Sequence, residues 1–228
     1  MKIKWLAHAT FLIESGALRI VTDPYTPRVM GFPEVRESAD IVIRSSADDE
    51  GHCNAAMIQG DPVVITATEI DSKGVEIKGI RVVPIPAKES LIHKEKPADN
   101  AMYRFALEGV QISHLGDVGN PLSADQIAAL QNSDILMVPA GGPPTIDLVD
   151  LWKAIPLIRP QVVIPMHYRL PGTKVKMLPV SEFVSHYPRE IVDWWPASER
   201  EFSRESLPKE MRILVLKSDV FSETRPTN

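Results

Sequence analysis

The sequence contains a single cysteine, Cys53, in 228 residues, which excludes an intrachain disulfide and makes a reducing, cytoplasmic setting the expected one. It also lacks a surplus of positive charge. With 25 Lys and Arg against 30 Asp and Glu the net charge is -5, so neither nucleic acid nor a membrane surface is expected as a partner, because both call for a basic face. No apolar run approaches the ~20 residues of a membrane span. The N-terminal MKIKWLAHATFLIES is interrupted by His8 and Glu14, and a signal peptide is not expected there. Internal repeats, low-complexity segments and linkers are missing as well. What is present is 44% hydrophobic content, enough for one sizeable core, so a single domain over residues 1–228 is expected, with only the terminal SETRPTN packed loosely.

That apolar content is cut into short runs bounded by turn residues, which read as strands. In order they are IKWLAH, FLIES, LRIVTDP, DIVIRS, PVVITA, VEIKG and IRVVPIP, then MYRFAL, VQISHLGD, DILMVPA, QVVIPMH, EIVDWW and MRILVL. Helices are fewer. LSADQIAAL offers Ser123 as N-cap with Gln126 three residues on, a capping-box pattern. TIDLVDLWKAIPLI carries Ile146, Val149, Leu151, Trp152 and Ile155 at helical spacing. VSEFVSHY is a third candidate, and a short helix is expected somewhere between Gly51 and Gln59. Strands dominate the first half, and strand alternates with helix in the second. This order points to an α/β (α+β) architecture of two packed sheets with helices outside, a four-layer αββα sandwich, rather than one doubly wound sheet.

Several strands end in polar residues, and such ends line the sheet edge where α/β proteins place ligands. Five pieces stand out: AHATF, VTDPY, SSADDEGHCN, ISHLGDVGN and VIPMHYR. They hold His8, His52, His114 and His167, four of the six histidines. One histidine at a strand end is usually a satisfied polar group. Four of them together with aspartates suit zinc, manganese or iron, and carboxylates can bridge two such ions. Asp117 has the alternative of capping its own turn, His114 of a purely structural place on its strand, and Cys53 of a small buried residue.

WLAHATFLIESGALRIVTDPY, ISHLGDVGNPLSADQIAAL, DILMVPAGGPPTID and RPQVVIPMHYR together resemble the metallo-β-lactamase-fold hydrolases, in the branch of the ascorbate-6-phosphate lactonase-like metal-dependent hydrolases. The resemblance runs in order over residues 3 to 216 and implies the αββα sandwich with a metal site at one edge. It matches Asp117 to the bridging aspartate of a dinuclear site and His167 to its last histidine. The family motif H-x-H-x-D-H is degenerate here. Counting forward from ADIV, its positions fall on Ser46, Asp48, Glu50 and Gly51. Counting backward from Gly60-Asp61-Pro62, they fall on Asp49 and His52. The family's third histidine falls near Ala87 and Lys88, with His93 a few residues late. A lysine there, such as Lys88, places positive charge where a cation would sit.

The resemblance therefore implies a metal set of Asp48, His52, Asp117 and His167, holding one divalent ion (zinc or manganese) or none. Asp117 and Asp49 are the candidate catalytic groups. His8, Asp23 and His114 are expected to support the ligands from behind, and Tyr168 and Arg169 to meet a small, anionic substrate. The expected function is metal-dependent hydrolysis of a lactone, ester or phosphoester. Two other readings stand beside it. One is an inactive relative that binds a small anion or a protein, and the other is metal-free acid–base chemistry by crowded carboxylates.

Overall fold

A computed structural model describes residues 1–219; the terminal SETRPTN lies outside them. The chain begins with strands β1 (Lys2–Ala7), β2 (Thr10–Ser15), β3 (Leu18–Thr22), β4 (Ile41–Arg44) and β5 (Val63–Thr66). Next come β6 (Val75–Ile77), β7 (Ile80–Lys88), β8 (Asp99–Leu107), β9 (Val110–His114), β10 (Ile135–Pro139), β11 (Val162–Met166) and β12 (Val192–Trp195). The last two are β13 (Glu199–Glu201) and β14 (Arg212–Leu216). One sheet has the order β13-β1-β2-β3-β4-β5, and the other β12-β14-β11-β10-β9-β8-β7-β6.

Alternation along the first sheet fixes how the layers stack. Phe11, Ile13, Ile20, Ile41 and Ile43 belong to the core shared with the second sheet. Leu12, Val21 and Val42 point the other way, into a smaller cluster with Tyr25, Met30, Phe32 and Val35. This is the period of two expected of strands buried on both sides. In the second sheet β10 and β11 are buried along their whole length, as parallel strands covered by helices are.

Helices α1 (Pro27–Met30), α2 (Ala124–Leu130), α3 (Leu148–Ile158) and α4 (Val180–Val184) complete the mixed α/β architecture. The capping box forms as the sequence predicts: the Ser123 hydroxyl accepts from the Gln126 amide, and Gln126 Oε1 accepts from the Ser123 amide. α3 buries Leu148, Leu151, Ala154, Ile155 and Ile158. The helix expected between Gly51 and Gln59 shrinks to a single 3₁₀ turn at Ala55–Met57. Its flanking amides are taken by other segments, Asn54 N–H by the Pro24 carbonyl and Gln59 N–H by that of Glu37, so helical bonds cannot propagate there. Among the described residues no helix is long and apolar enough to cross a membrane.

Candidate metal centre

The polar cluster grows from strand ends. His8, Asp23 and His167 directly follow β1, β3 and β11, and all three have positive φ, at 51°, 38° and 52°. Non-glycine residues in the left-handed region cost ~1–3 kcal/mol each when strained and persist where the surroundings enforce them. Here each one turns the chain off its strand at the same edge. The His167 amide donates to the His8 carbonyl at 3.0 Å, which ties the two sheets together at this point. Gly116, at φ +57°, lets the HLGD turn pass against Ser45, where a Cβ would lie 2.6 Å from the Ser45 side chain.

One half of the cluster is made of imidazoles. The His8 ring lies 3.9 Å from that of His167 and 4.9 Å from that of His52, centroid to centroid. The His52 and His167 rings are 5.4 Å apart and nearly parallel. His52 Nδ1 is 2.8 Å from Asp23 Oδ2. Asp23 is fully buried and also accepts from the Ser45 amide (2.8 Å), the Ser45 hydroxyl (2.6 Å) and the Tyr103 hydroxyl (3.2 Å). Burial favours its neutral form, but the His114 and His52 imidazoles and the Ser45 hydroxyl outweigh that and hold Asp23 below the usual carboxylate range. His52 shows the reverse balance. Burial disfavours its charge, but Asp23, Asp117 and Asp49 raise it to about 9 in the absence of a metal. Burial, followed by the charges of His167, His52 and His114, pushes His8 well below the histidine range.

Asp117 is the hinge of the cluster. Its Oδ1 stands 3.3 Å from His167 Nε2 and 3.9 Å from His52 Nε2, without a hydrogen bond. Its Oδ2 lies 3.6 Å from the ammonium of Lys94. Lys94 is also 2.8 Å from Glu89 Oε1 and 3.8 Å from Asp49 Oδ2. Burial lowers the Lys94 pKa, but Asp117, Glu89 and Asp49 more than restore it and raise it overall. Burial likewise works against the charge on Asp117, and His167, His52 and Lys94 together hold its carboxyl below the usual range.

The expected site residues divide into those brought together and those kept apart. His52, Asp117, His167 and Asp49 meet, so the motif count made backward from Gly60 is the one whose residues face the cluster. Asp48 is exposed and turns away. The buried Ser46 hydroxyl accepts from the Asp49 amide at 3.2 Å and from the Asp48 amide at 3.5 Å, which closes the turn in the register that aims Asp49 inward. Asp49 Oδ1 then accepts from the Gly51 amide at 2.7 Å. His8 belongs in the imidazole group itself rather than behind it. Asp23 does stand behind, on His52. His114 stacks on Tyr103 with both nitrogens engaged, Nε2 with the Ala9 carbonyl and Nδ1 with the Gly116 amide, so neither is free for a metal. Tyr168 is buried against Trp5, and Arg169 is exposed outside the cleft. His93 pairs with Asp147 at 3.7 Å, and Lys88 with Asp99 at 3.4 Å, both away from the cluster. Lys94 and Glu89 were not legible in the sequence. They lie in the charged stretch KESLIHKEKP, where nothing in the spacing marks one lysine over another.

The donor set fits a divalent ion. One ring nitrogen each of His8, His52 and His167, and Asp117 Oδ1, are buried with no hydrogen-bond partner. Leaving four such atoms unsatisfied is costly unless something binds them. Ligand atoms of the three histidines lie within 4.8 Å of one another, as do those of Asp49, His52 and Asp117. Bonds of ~2.0–2.1 Å to a tetrahedral ion imply ligand–ligand edges of about 3.3–3.5 Å. Asp117 Oδ1 stands one such edge from His167 Nε2, at 3.3 Å, although the unpartnered nitrogen of that ring is Nδ1, and its edge to the unpartnered His52 Nε2 is longer, at 3.9 Å. His8, His52, Asp117 and His167 line a cavity of ≈ 220 Å³ walled by Val29, Met30, Pro144, Val175 and Met177, with Lys94 and Lys176 as its cations.

Comparison with known proteins identifies the family. Residues 2–167 match the family described as the beta-lactamase superfamily domain. A metal-dependent hydrolase of Thermoplasma acidophilum is 30% identical over 189 residues, spanning 74% of this chain and 83% of its own length. One from Archaeoglobus fulgidus is 26% identical over 193 residues, with the same coverage. The crystal structure of a Thermotoga maritima protein of the metallo-beta-lactamase superfamily, itself proposed to be a zinc-dependent hydrolase, superposes with a TM-score of 0.75 at 27% identity. It covers 95% of this chain and 98% of that one.

Proposed function

The chain belongs to the beta-lactamase superfamily domain family, and from that premise we propose that it is a hydrolase working with one divalent ion, zinc or manganese, held by His8, His52, His167 and Asp117. The observation that carries this reading is a pair of overlapping ligand groups, His8–His52–His167 and Asp49–His52–Asp117, that share His52, with a buried, unpartnered atom on each of His8, His52, His167 and Asp117. An ion bound there supplies Lewis acidity toward a carbonyl or phosphoryl oxygen and makes water a competent nucleophile near neutral pH.

The chain's own residues supply the rest. Asp23 fixes the His52 ring and its tautomer, leaving Nε2 as the free donor. Asp49, held through Oδ1 by the Gly51 amide, presents Oδ2 to accept the proton of the attacking water. Asp117 shares its charge between the histidine side and Lys94. Apolar walls on one side of the cavity exclude bulk water, which strengthens each of these interactions. The cavity, below the ~300–1,000 Å³ of most ligand pockets, suits a small lactone, ester or phosphoester. Lys176 lines this cavity, which Arg169 and Tyr168 do not, and is the cation we assign to an anionic group, since Lys94 is already paired with Glu89, Asp117 and Asp49. The lone free thiol, Cys53, is in keeping with a reducing compartment.

The test is metal analysis of the purified protein coupled to a hydrolysis screen over small lactones, aryl esters and phosphate mono- and diesters. Wild type should retain one ion and cleave at least one class. His167→Ala should lose the ion and about a hundredfold or more of the rate, at least the ~10–100-fold that outer partners of a metal are worth. A folded wild type that binds no zinc or manganese at micromolar concentration and cleaves nothing in the screen overturns the reading and leaves an inactive binding relative.

A further inference from the structure

The unexpected group in this cleft is the ammonium of Lys94. We propose that it is a built-in cation, standing where a second metal ion would otherwise be held and limiting the site to one divalent ion. The proposal deepens the metal-hydrolase reading and rests on its assignment of the histidine side.

Three observations converge on it. First, Asp117 still behaves as a bridge: Oδ1 faces His167 and His52, and Oδ2 faces Lys94 at 3.6 Å. A bridging carboxylate has a cation on each side, and on one of those sides the cation here is a side chain. Second, the ammonium has carboxylate company from three directions, Glu89 at 2.8 Å, Asp117 at 3.6 Å and Asp49 at 3.8 Å. All three are hard oxygen donors, and an ammonium needs nothing else. Third, the segment carrying Lys94 is tethered rather than loosely draped. The Gly119 amide donates to the Lys88 carbonyl, and the Asn120 side chain accepts from the Leu91 amide while donating to the Glu89 carbonyl. Ser90 Oγ accepts from the Ile92 and His93 amides, and Glu89 Oε2 from the Ala98 amide. Gly119 is required for this approach, since a Cβ there would lie 2.0 Å from the Ser90 nitrogen. The turn that delivers Asp117 is thus the one that holds the Lys94 segment in place.

Direct repulsion points the same way. A second divalent ion at the Lys94 position would meet a unit positive charge within a few ångströms, where like charges in a partly buried site repel strongly.

Zinc titration of the chelator-treated protein, followed by isothermal calorimetry and by metal analysis after dialysis, tests this without reference to activity. Wild type and Lys94→Arg should each take up one ion per chain. Lys94→Gln, which removes the charge on a side chain one bond shorter, should take up a second, weaker ion, bound at least about tenfold more tightly than any second ion in wild type. That second ion should vanish in Lys94→Gln/Asp49→Asn and persist in Lys94→Gln/His167→Ala, where the first is lost. The metal-free Lys94→Gln protein should melt lower than wild type and recover when zinc is added. If Lys94→Gln folds and still binds only what wild type binds, or if wild type itself retains two ions, the proposal is overturned. A wild type that binds no ion while Lys94→Gln binds one would sink the metal-hydrolase reading and leave this one standing.

Discussion

The two sides of Asp117 carry the same kind of carboxylate oxygen but solve the problem of buried charge in opposite ways. On one side a nitrogen of each of three imidazoles and Oδ1 are left without partners, a deficit that a cation from solution can fill. On the other side Oδ2, Asp49 and Glu89 already have their cation, attached to the chain. Buried polar groups must be satisfied, yet the protein can choose between a ligand and its own side chain. The first choice makes function depend on metal supply. The second makes half of the site permanent and saves it from losing an ion.

The sharpest test of that division acts behind the histidine side alone. Asp23→Asn removes the charge that orients His52 and sets an amide where Ser45, Tyr103 and His52 all offer protons. Metal affinity should fall ~10–100-fold, the range seen for such outer partners. The zinc gained by Lys94→Gln should not change, because Asp23 does not touch that side. Calorimetric titration of both backgrounds separates the two, and equal losses in both would merge the halves into one site.

How much of this was legible beforehand differs residue by residue. Strands such as FLIES, DIVIRS and QVVIPMH were readable because short apolar runs between turn residues have few other ways to bury themselves. The HLGD and IPMHY pieces placed Asp117 and His167 through their resemblance to the family's motifs, each near the end of a predicted strand. The acidic turn was not readable to a single residue. Whether Asp48 or Asp49 faces inward depends on Ser46, which accepts their amides and takes the place of a family histidine. His8 looked like a support because it follows the first strand, far in sequence from the motif. Lys94 was hidden for a different reason. Its position is set by Asn120 and Gly119, about thirty residues away, and Lys88 was the more obvious candidate by alignment with the lost histidine.

A smaller effect should appear in the pH dependence of the metal-free protein. The folded His52 pKa is raised to about 9, above its ordinary value near 6.5. Its contribution is therefore fully present below about pH 6.5 and is lost as pH rises through about 9, amounting to roughly 3 kcal/mol at most. His8 has the opposite sign. Its folded pKa is depressed, so its contribution is present above about pH 6.5 and is lost as pH falls below that. Melting of chelator-treated protein should therefore peak near neutrality and decline toward pH 9.5. Bound zinc takes His52 Nε2 and with it the site of the second proton, so the alkaline decline should be absent from the loaded protein. Identical alkaline limbs with and without zinc would mean that His52 is not a ligand.

The smallest effect is expected where sequence counting placed a ligand. Asp48 is exposed, its amide is bound to Ser46 Oγ, and its carboxylate reaches none of the metal-competent groups. Asp48→Asn removes one solvated charge and keeps the side chain's shape, so stability should move by no more than about 0.5 kcal/mol. Zinc affinity should stay within about twofold of wild type, because an exposed charge beyond the first contacts is screened by solvent and salt. Asp49, its neighbour, differs only in which way the turn points it. A tenfold loss of zinc affinity in Asp48→Asn would show that the turn has a second arrangement in which Asp48 swings inward, and the division between the two sides of Asp117 would then depend on which arrangement the metal selects.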